Sequence, residues 1–191
     1  MTGAEPRRAT VQYPGGIAAR YRWAGPGQGA TIFASSEAGG RLTDLADLAG
    51  AAPDRLCRAE LRAEGPLGTW TVRLASPVYD EPQGLLWDTA GLLVLKYGFR
   101  GYAFEARGGE LRWSHASATP LVAVLGSARL DHVLLQGEIE TSALDAQGAL
   151  VWRAAHDDVI TGVDLIGGRL ILTTWSGSTL ALDPATGRAL G

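Results

Sequence analysis

The chain has 191 residues, and its 17 lysines and arginines against 20 aspartates and glutamates leave a formal net charge of −3. No basic run exceeds Arg7-Arg8, which argues against the positive stripe that nucleic acid requires, and no run approaches the roughly 20 apolar residues of a membrane helix. A single cysteine, Cys57, excludes an internal disulfide framework and a multi-cysteine metal site, and the N-terminus through Gly16 holds no apolar core of signal-peptide length, so the expected compartment is the cytoplasm.

Taken in order, residues 10–13 read as a strand, followed by strands at 17–23 and 30–35 around the turn Gly25-Pro26-Gly27-Gln28-Gly29. Leu42, Leu45 and Leu48 carry helical spacing, with Gly50 and Pro53 as stop signals, and predict a short helical insertion over 41–49. Residues 57–64 alternate Cys, Ala, Leu and Ala with Arg, Glu, Arg and Glu, the pattern of a half-buried strand. Their composition, with Asp54 as a cap, is also that of a helix; the alternation is the stronger signal. Gly65-Pro66-Leu67-Gly68 is a natural hairpin connection to a strand at 69–74, and the prolines of 76–83 mark a linking loop. Strands then follow regularly at 85–88, 92–97, 101–106 and 110–115, at 121–127, 132–136, 141–145 and 149–154, and at 159–166, 169–174 and 178–183.

The last three groups repeat one motif. Ala103-Phe104-Glu105 with Gly109 and Trp113 matches Ala143-Leu144-Asp145 with Gly148 and Trp152, and Ala181-Leu182-Asp183 with Gly187; the alanines lie 40 and then 38 residues apart. Trp70 stands where an earlier copy would place its tryptophan. A period of about 40 residues with several strands per unit is that of propeller blades, each sheet covered by the next. The units resemble blades of WD-repeat and quinoprotein-type propellers over about residues 84–191. Asp183-Pro184-Ala185-Thr186-Gly187-Arg188 is similar to the turn after the third strand in those families, and His156 is similar to the WD-repeat histidine. Leu182 departs from the tryptophan often found there in WD repeats, and Asp145-Ala146-Gln147-Gly148 is one residue short.

The resemblance implies an all-β fold, a small β-propeller of about four blades of four antiparallel strands with one short helical insertion. The blades are 14–75, 84–116, 119–155 and 157–191, the last closed by the strand at 10–13 into a single domain. Two alternatives stay open: a half-propeller that pairs with a partner, and an N-terminal α+β domain followed by propeller-like repeats.

In such a fold the loops joining second and third strands share a face with the loops between blades. That placement makes Tyr97, Phe99, Arg100, Glu138, Glu140 and Trp175, with His115, His156 and Asp157, the candidate ligand- or partner-binding residues. The competing reading is that these side chains are solvated or cap blade cores, and that His156 bonds within its blade. Three scattered histidines make no convincing zinc site, Asp80-Glu81 and Asp157-Asp158 read as solvated loops, and no Gly-x-Ser-x-Gly elbow occurs. No catalytic set and no cofactor is expected. The function expected is therefore a non-enzymatic protein-interaction scaffold presenting loops on one face, a regulatory or immunity component of a bacterial multi-protein system, with an unidentified protein partner and a homodimer also allowed. The alternative is a small-ligand or carbohydrate-binding propeller with hydrolytic activity, using Trp175, Tyr97 and Phe99 as stacking platforms.

Overall fold

The computed structural model describes residues 5–34, 39–49 and 52–191. Strand accounts for 57% and helix for 7% of the chain, which decides for all-β over α+β. The chain divides into two compact units, Met1–Pro82 with Phe104–Leu111, and Gln83–Ala103 with Arg112–Gly191.

The first unit is a five-stranded sheet. Strands β1 (Arg7–Tyr13), β2 (Ile17–Ala24), β4 (Cys57–Gly65) and β5 (Gly68–Ser76) run antiparallel in that order, and β3 (Arg41–Asp44) lies parallel beyond β5. The alternation of 57–64 does produce a strand, and its apolar set explains why: Cys57, Ala59, Leu61 and Ala63 are all buried. They sit in rows that complement large with small side chains across the sheet, Trp23–Ala59–Leu74, Tyr21–Leu61–Val72 and Ala19–Ala63–Trp70. The expected hairpin at 65–68 forms with Gly65 opposite Gly68.

Three expectations for this region are corrected. The strand expected at 30–35 is instead the short helix α1 (Gly29–Ala34), Ser35 lying outside the described residues. The helix expected at 41–49 is β3 followed by a 3-10 turn, Ala46–Ala49. Leu42 is exposed, so the leucine spacing there does not mark a core face. Gly40, at φ 78, lets the backbone approach β5 so closely that a Cβ would overlap the Thr69 carbonyl, and this steers Arg41 into the sheet. The Asp44 carboxylate then accepts the Ala46 amide at 3.0 Å and starts the turn.

The third correction concerns β1. Residues 10–13 do not close the last sheet beside 178–183; they pair with β2, in register from Arg7 opposite Trp23 to Tyr13 opposite Ile17. Pro14–Gly16 makes the reversal locally, and a short hairpin costs far less chain entropy than a pairing across the length of the protein.

The second unit carries the periodic sheets. They are β6 (Gln83–Trp87), β7 (Leu92–Tyr97), β8 (Arg100–Glu105) and β9 (Leu111–Ala116); then β10 (Leu121–Leu125), β11 (Val133–Gly137), β12 (Glu140–Leu144) and β13 (Leu150–Ala155); then β14 (Ile160–Ile166), β15 (Arg169–Thr174) and β16 (Thr179–Leu182). Each sheet has sequential strand order, the meander of a propeller blade. Leu92, Val94 and Ala103 pack on Leu121, Val124, Val133 and Leu135; the other face of the middle sheet, Leu134 and Ala143, packs on Ile160, Leu170, Leu172 and Leu182. Both faces of β11 are thus covered and every residue in it is buried, whereas β14 and β16 are largely exposed on one side. The edge of β16 is met by the chain's last residues, through a bridge from Leu182 to Ala189 and a bond from the Leu190 amide to the Ala181 carbonyl.

One device recurs through the repeats. After β8, β12 and β16, Glu105, Asp145 and Asp183 each fold back to accept amides of the next turn, as in Gln147 and Ala149 to Asp145 at 2.9 and 2.8 Å. Each turn closes with a glycine at positive φ, Gly109, Gly148 or Gly187. Against each glycine lies an indole: a Cβ there would sit 2.4 Å from Trp70, 2.6 Å from Trp113 and 2.4 Å from Trp152 respectively. Trp70 and Trp152 also donate Nε1–H to the Ala106 and Pro184 carbonyls, at 3.1 and 3.2 Å, whereas the buried Trp113 Nε1 finds no hydrogen-bond partner among the described residues. Trp113 is 8% exposed, whereas Trp152 is half-buried.

Two consequences can be measured by chemical denaturation. Trp113→Ala should cost about 3–5 kcal/mol, the range for emptying a large aromatic from a core, and Trp152→Ala less. Gly148→Ala should cost about 2–4 kcal/mol, combining positive-φ strain with overpacking against Trp113. Gly167→Ala, at φ 59 with nothing within 4 Å, should cost only about 1 kcal/mol of strain. Equal losses at Gly148 and Gly167 would mean that the indole contact contributes nothing.

Candidate functional site

The hairpins and connecting loops along one end of the second unit's sheets are stitched together by backbone hydrogen bonds. The loop between β9 and β10 donates from Ser117 to the Phe99 carbonyl at 2.8 Å and from Leu121 to that of Gly98 at 2.7 Å. Its Thr119 hydroxyl accepts the Glu138 amide of the next hairpin at 3.1 Å. The loop between β13 and β14 repeats the pattern: His156 donates to Ile139 at 2.8 Å, Ile160 to Glu138 at 2.6 Å, and Val159 accepts from Trp175 at 2.7 Å. The Asp158 carboxylate accepts the amides of Ser176, at 3.1 Å, and Val159, at 2.7 Å. These bonds, the Ser176 ones foremost, hold that carboxyl below its ordinary pKa. Loops tied in this way form a rigid rim.

Within the rim a polar chain runs inward. The side-chain amide of Gln136 donates to the Gly137 and Glu140 carbonyls at 2.7 and 3.3 Å, which turns its oxygen toward Thr141. Thr141 donates its one hydroxyl proton to that oxygen at 2.6 Å. Its remaining contact, 2.7 Å from His156 Nε2, therefore requires the imidazole to donate, which fixes the Nε2–H tautomer. Gln136 and Thr141 are fully buried.

Glu140 lies where both histidines sense its charge. It pairs with Arg153 Nε at 3.3 Å and accepts the Ser142 hydroxyl at 3.2 Å. Burial lowers the pKa of His115, aided by Arg153 and opposed by Glu140. Burial likewise lowers that of His156, against the pull of Glu140 and Asp157.

The structure thus groups Glu140, His115 and His156, and ties Glu138 and Trp175 into the same rim. Asp157 is exposed beside them, and Phe99 and Arg100 are half-buried at its other end. Tyr97 is 1% exposed and lies in the core, so it offers no stacking surface. The reading of His156 as bonded within its own blade is also corrected, since its partner Thr141 stands on β12 of the preceding sheet. Gln136, Thr141 and Arg153 escaped the sequence reading because 136, 141, 153 and 156 share no spacing; only the register of β11, β12 and β13 joins them. His132 is structural: its Nε2–H and the Trp152 indole both donate to the Pro184 carbonyl. Among the described residues, no group of three or more His, Cys, Asp or Glu side chains is placed to hold a metal, and no helix is long and apolar enough to cross a membrane.

No family model and no curated protein matches the sequence. Solved structures do match in fold. BamB from Moraxella catarrhalis superposes with a TM-score of 0.56 at 15% identity, over 100% of this chain and 66% of that one. The computationally designed Ika4 protein gives a TM-score of 0.50 at 9% identity, over 78% of this chain and 94% of that one. The Pan2 WD40 domain of Neurospora crassa gives 0.45 at 14% identity, over 53% and 34%. The chain spans less than two thirds of BamB and about a third of the Pan2 domain. The likeness to BamB shows the fold alone, sheets of the β-propeller type.

The depressed histidines set a pH dependence. The unfolded chain takes up protons near the ordinary histidine pKa of 6.5, before the folded protein does. This contribution to stability is complete above that pH and is lost as the pH falls below it. Thermal melts should show the midpoint dropping as pH falls through and below 6.5, with a shallower drop in His156→Gln. A midpoint independent of pH over that range would contradict the assignment.

Proposed function

We propose that the chain is a non-enzymatic interaction scaffold whose second unit presents the loop rim to a protein partner. The observation that carries this reading is Trp175. Its side chain is 79% exposed, while its own amide and that of Ser176 are fixed by Val159 and Asp158. A large aromatic held rigidly and left uncovered at a hairpin tip has the character of an interface anchor. Val159, exposed on the loop bonded to it, and Ile139, exposed on the hairpin bonded in turn to that loop, enlarge the apolar surface. Glu138, Glu140 and Asp157 supply polar surroundings, the usual make-up of a recognition patch with its rim.

The polar cluster supports binding rather than turnover. Glu140 is held by Arg153 and Ser142, and His156 Nε2 is spent on Thr141, so neither is positioned as a free acid or base. The carbohydrate reading loses support, since of its three stacking residues Tyr97 is inside the core, Phe99 is half-buried and Trp175 is exposed. Within the scaffold reading, the finer role is that of a cytoplasmic regulatory or immunity component in a bacterial multi-protein system, which the Ala-, Gly-, Leu- and Arg-rich composition suits.

Cross-linked capture from the source cell tests the rim. Wild type should retain a defined partner, and Trp175→Ala with Ile139→Asp should weaken retention about tenfold, as loss of one anchor and its neighbour implies. The variant should keep the wild-type melting temperature, because both side chains are exposed. Equal capture by the two proteins would place the interface elsewhere. A doubled mass for wild type alone would identify the partner as a second copy.

A further inference from the structure

A cleft lies at the end of the second unit's sheets opposite the loop rim. The rim takes the hairpins β7–β8 and β11–β12, so antiparallel order puts the β6–β7 turn and the β10–β11 loop at the other end. Those two segments approach closely. A Cβ on Gly126 would sit 2.7 Å from Leu85 Cδ2, and the Val124 amide donates to the Gln83 side chain at 3.3 Å. The cleft they enclose, about 220 Å³, is lined in part by Leu85, Trp87, Asp88, Ser127, His132 and Val133.

The walls are fixed by bonds of their own. The Ser127 hydroxyl accepts the Arg129 amide at 3.2 Å and its carbonyl accepts that of Leu130 at 3.0 Å. His132, 7% exposed, is held on two sides. Its Nε2–H donates to the Pro184 carbonyl at 2.8 Å, and its ring stands edge-on to the Trp152 indole with centroids 6.1 Å apart. With Nε2 protonated, Nδ1 of the neutral imidazole is an acceptor. It has no donor among the described residues, and a buried acceptor without one costs free energy until a ligand or water supplies it. The exposed Asp88 carboxylate also has no ion-pair or hydrogen-bond partner among the described residues. Trp87 packs against the core yet stays half-buried, which leaves part of its indole as cleft wall.

We propose that this cleft binds a small organic ammonium ion with an apolar or aromatic body, at a site separate from the loop rim. Its two unpartnered groups, a carboxylate and an imidazole nitrogen, are both acceptors and call for N–H donors and positive charge. An indole face attracts the same charge. Leu85 and Val133 supply apolar wall for the body of the ligand. An anion would meet Asp88 with no lysine or arginine in the lining to hold it. The volume falls below the roughly 300–1,000 Å³ of sites for drug-sized ligands, which commits the occupant to a small molecule.

Calorimetric titration of the full chain near neutral pH tests the proposal. The probe is tryptamine, with indoleacetate (a similar ring, opposite charge) and Nα-acetyl-lysine amide alongside. Tryptamine should bind with a Kd of about 1 mM or tighter, the range open to about a dozen non-hydrogen atoms, and indoleacetate should not. Asp88→Asn, at an exposed position, should lower the affinity about tenfold and leave the melting temperature unchanged. Ala128→Trp, exposed and lining the cleft, should block binding by filling it. Trp175→Ala should bind tryptamine as wild type does. Absence of tryptamine binding, equal binding of indoleacetate, or unchanged affinity in both cleft variants would overturn the proposal. So would loss of binding in Trp175→Ala, which would place the amine at the rim. Tighter binding of Nα-acetyl-lysine amide would make the occupant a lysine side chain of a protein and overturn the small-molecule assignment.

Discussion

The contact on which the periodic part of this protein depends is an indole laid on a glycine that has no Cβ. Gly109, Gly148 and Gly187 are each doubly constrained: the carboxylate-capped turn requires positive φ, and the ring above leaves no room for a methyl group. One residue type answers both demands. The indole brings an apolar area of about 200 Å², and in two of three cases its N–H finds a carbonyl in the same turn. The turn is therefore a structural joint, and the carboxylate at its start is consumed in shaping it. That is why Glu105, Asp145 and Asp183 belong to the fold and not to any site.

This joint is also why residues 84–191 were legible in sequence and residues 14–56 were not. A glycine, a carboxylate four or three residues before it and a tryptophan four residues after it survive as a pattern, because each must be that residue. The strands between could then be placed to within a few residues. The first unit has no such punctuation. Leu42, Leu45 and Leu48 look helical, but the glycine that brings Arg41 beside β5 acts through a close approach to Thr69 that no local pattern records. The placement of β1 failed for a related reason. Residues 10–13 fit a free edge far along the chain by strand count, but Pro14–Gly16 supplies a hairpin to β2.

The loop rim was legible in outline and wrong in part. The up-and-down order of antiparallel strands predicts which loops share an end of the sheets, and backbone bonds join those loops. It does not predict which residue of a hairpin points inward. Tyr97 closes β7, a strand buried throughout, so its ring joins the core, while Trp175 extends one residue beyond β15 and stands in solvent. One residue of strand length separates a packing side chain from a presenting one.

The same alternation serves two ends in the first unit. In β4 the side chains alternate between faces, Ala and Leu on one and Arg and Glu on the other, where Glu60 is itself buried, and the apolar set settles strand over helix. The outward set then meets β2 in a register that the inward set has already imposed, because slipping by one residue would turn Leu61 into solvent and Glu60 into the core. Arg20 opposite Arg62, and Arg8 opposite Arg22, are thus not free to rearrange for electrostatic comfort. The apolar face dictates the register, and the register sets Glu60 and Glu64 among the arginines of β2, β4 and β5. The ion pairing on this side is thus a consequence of packing on the opposite side of the sheet.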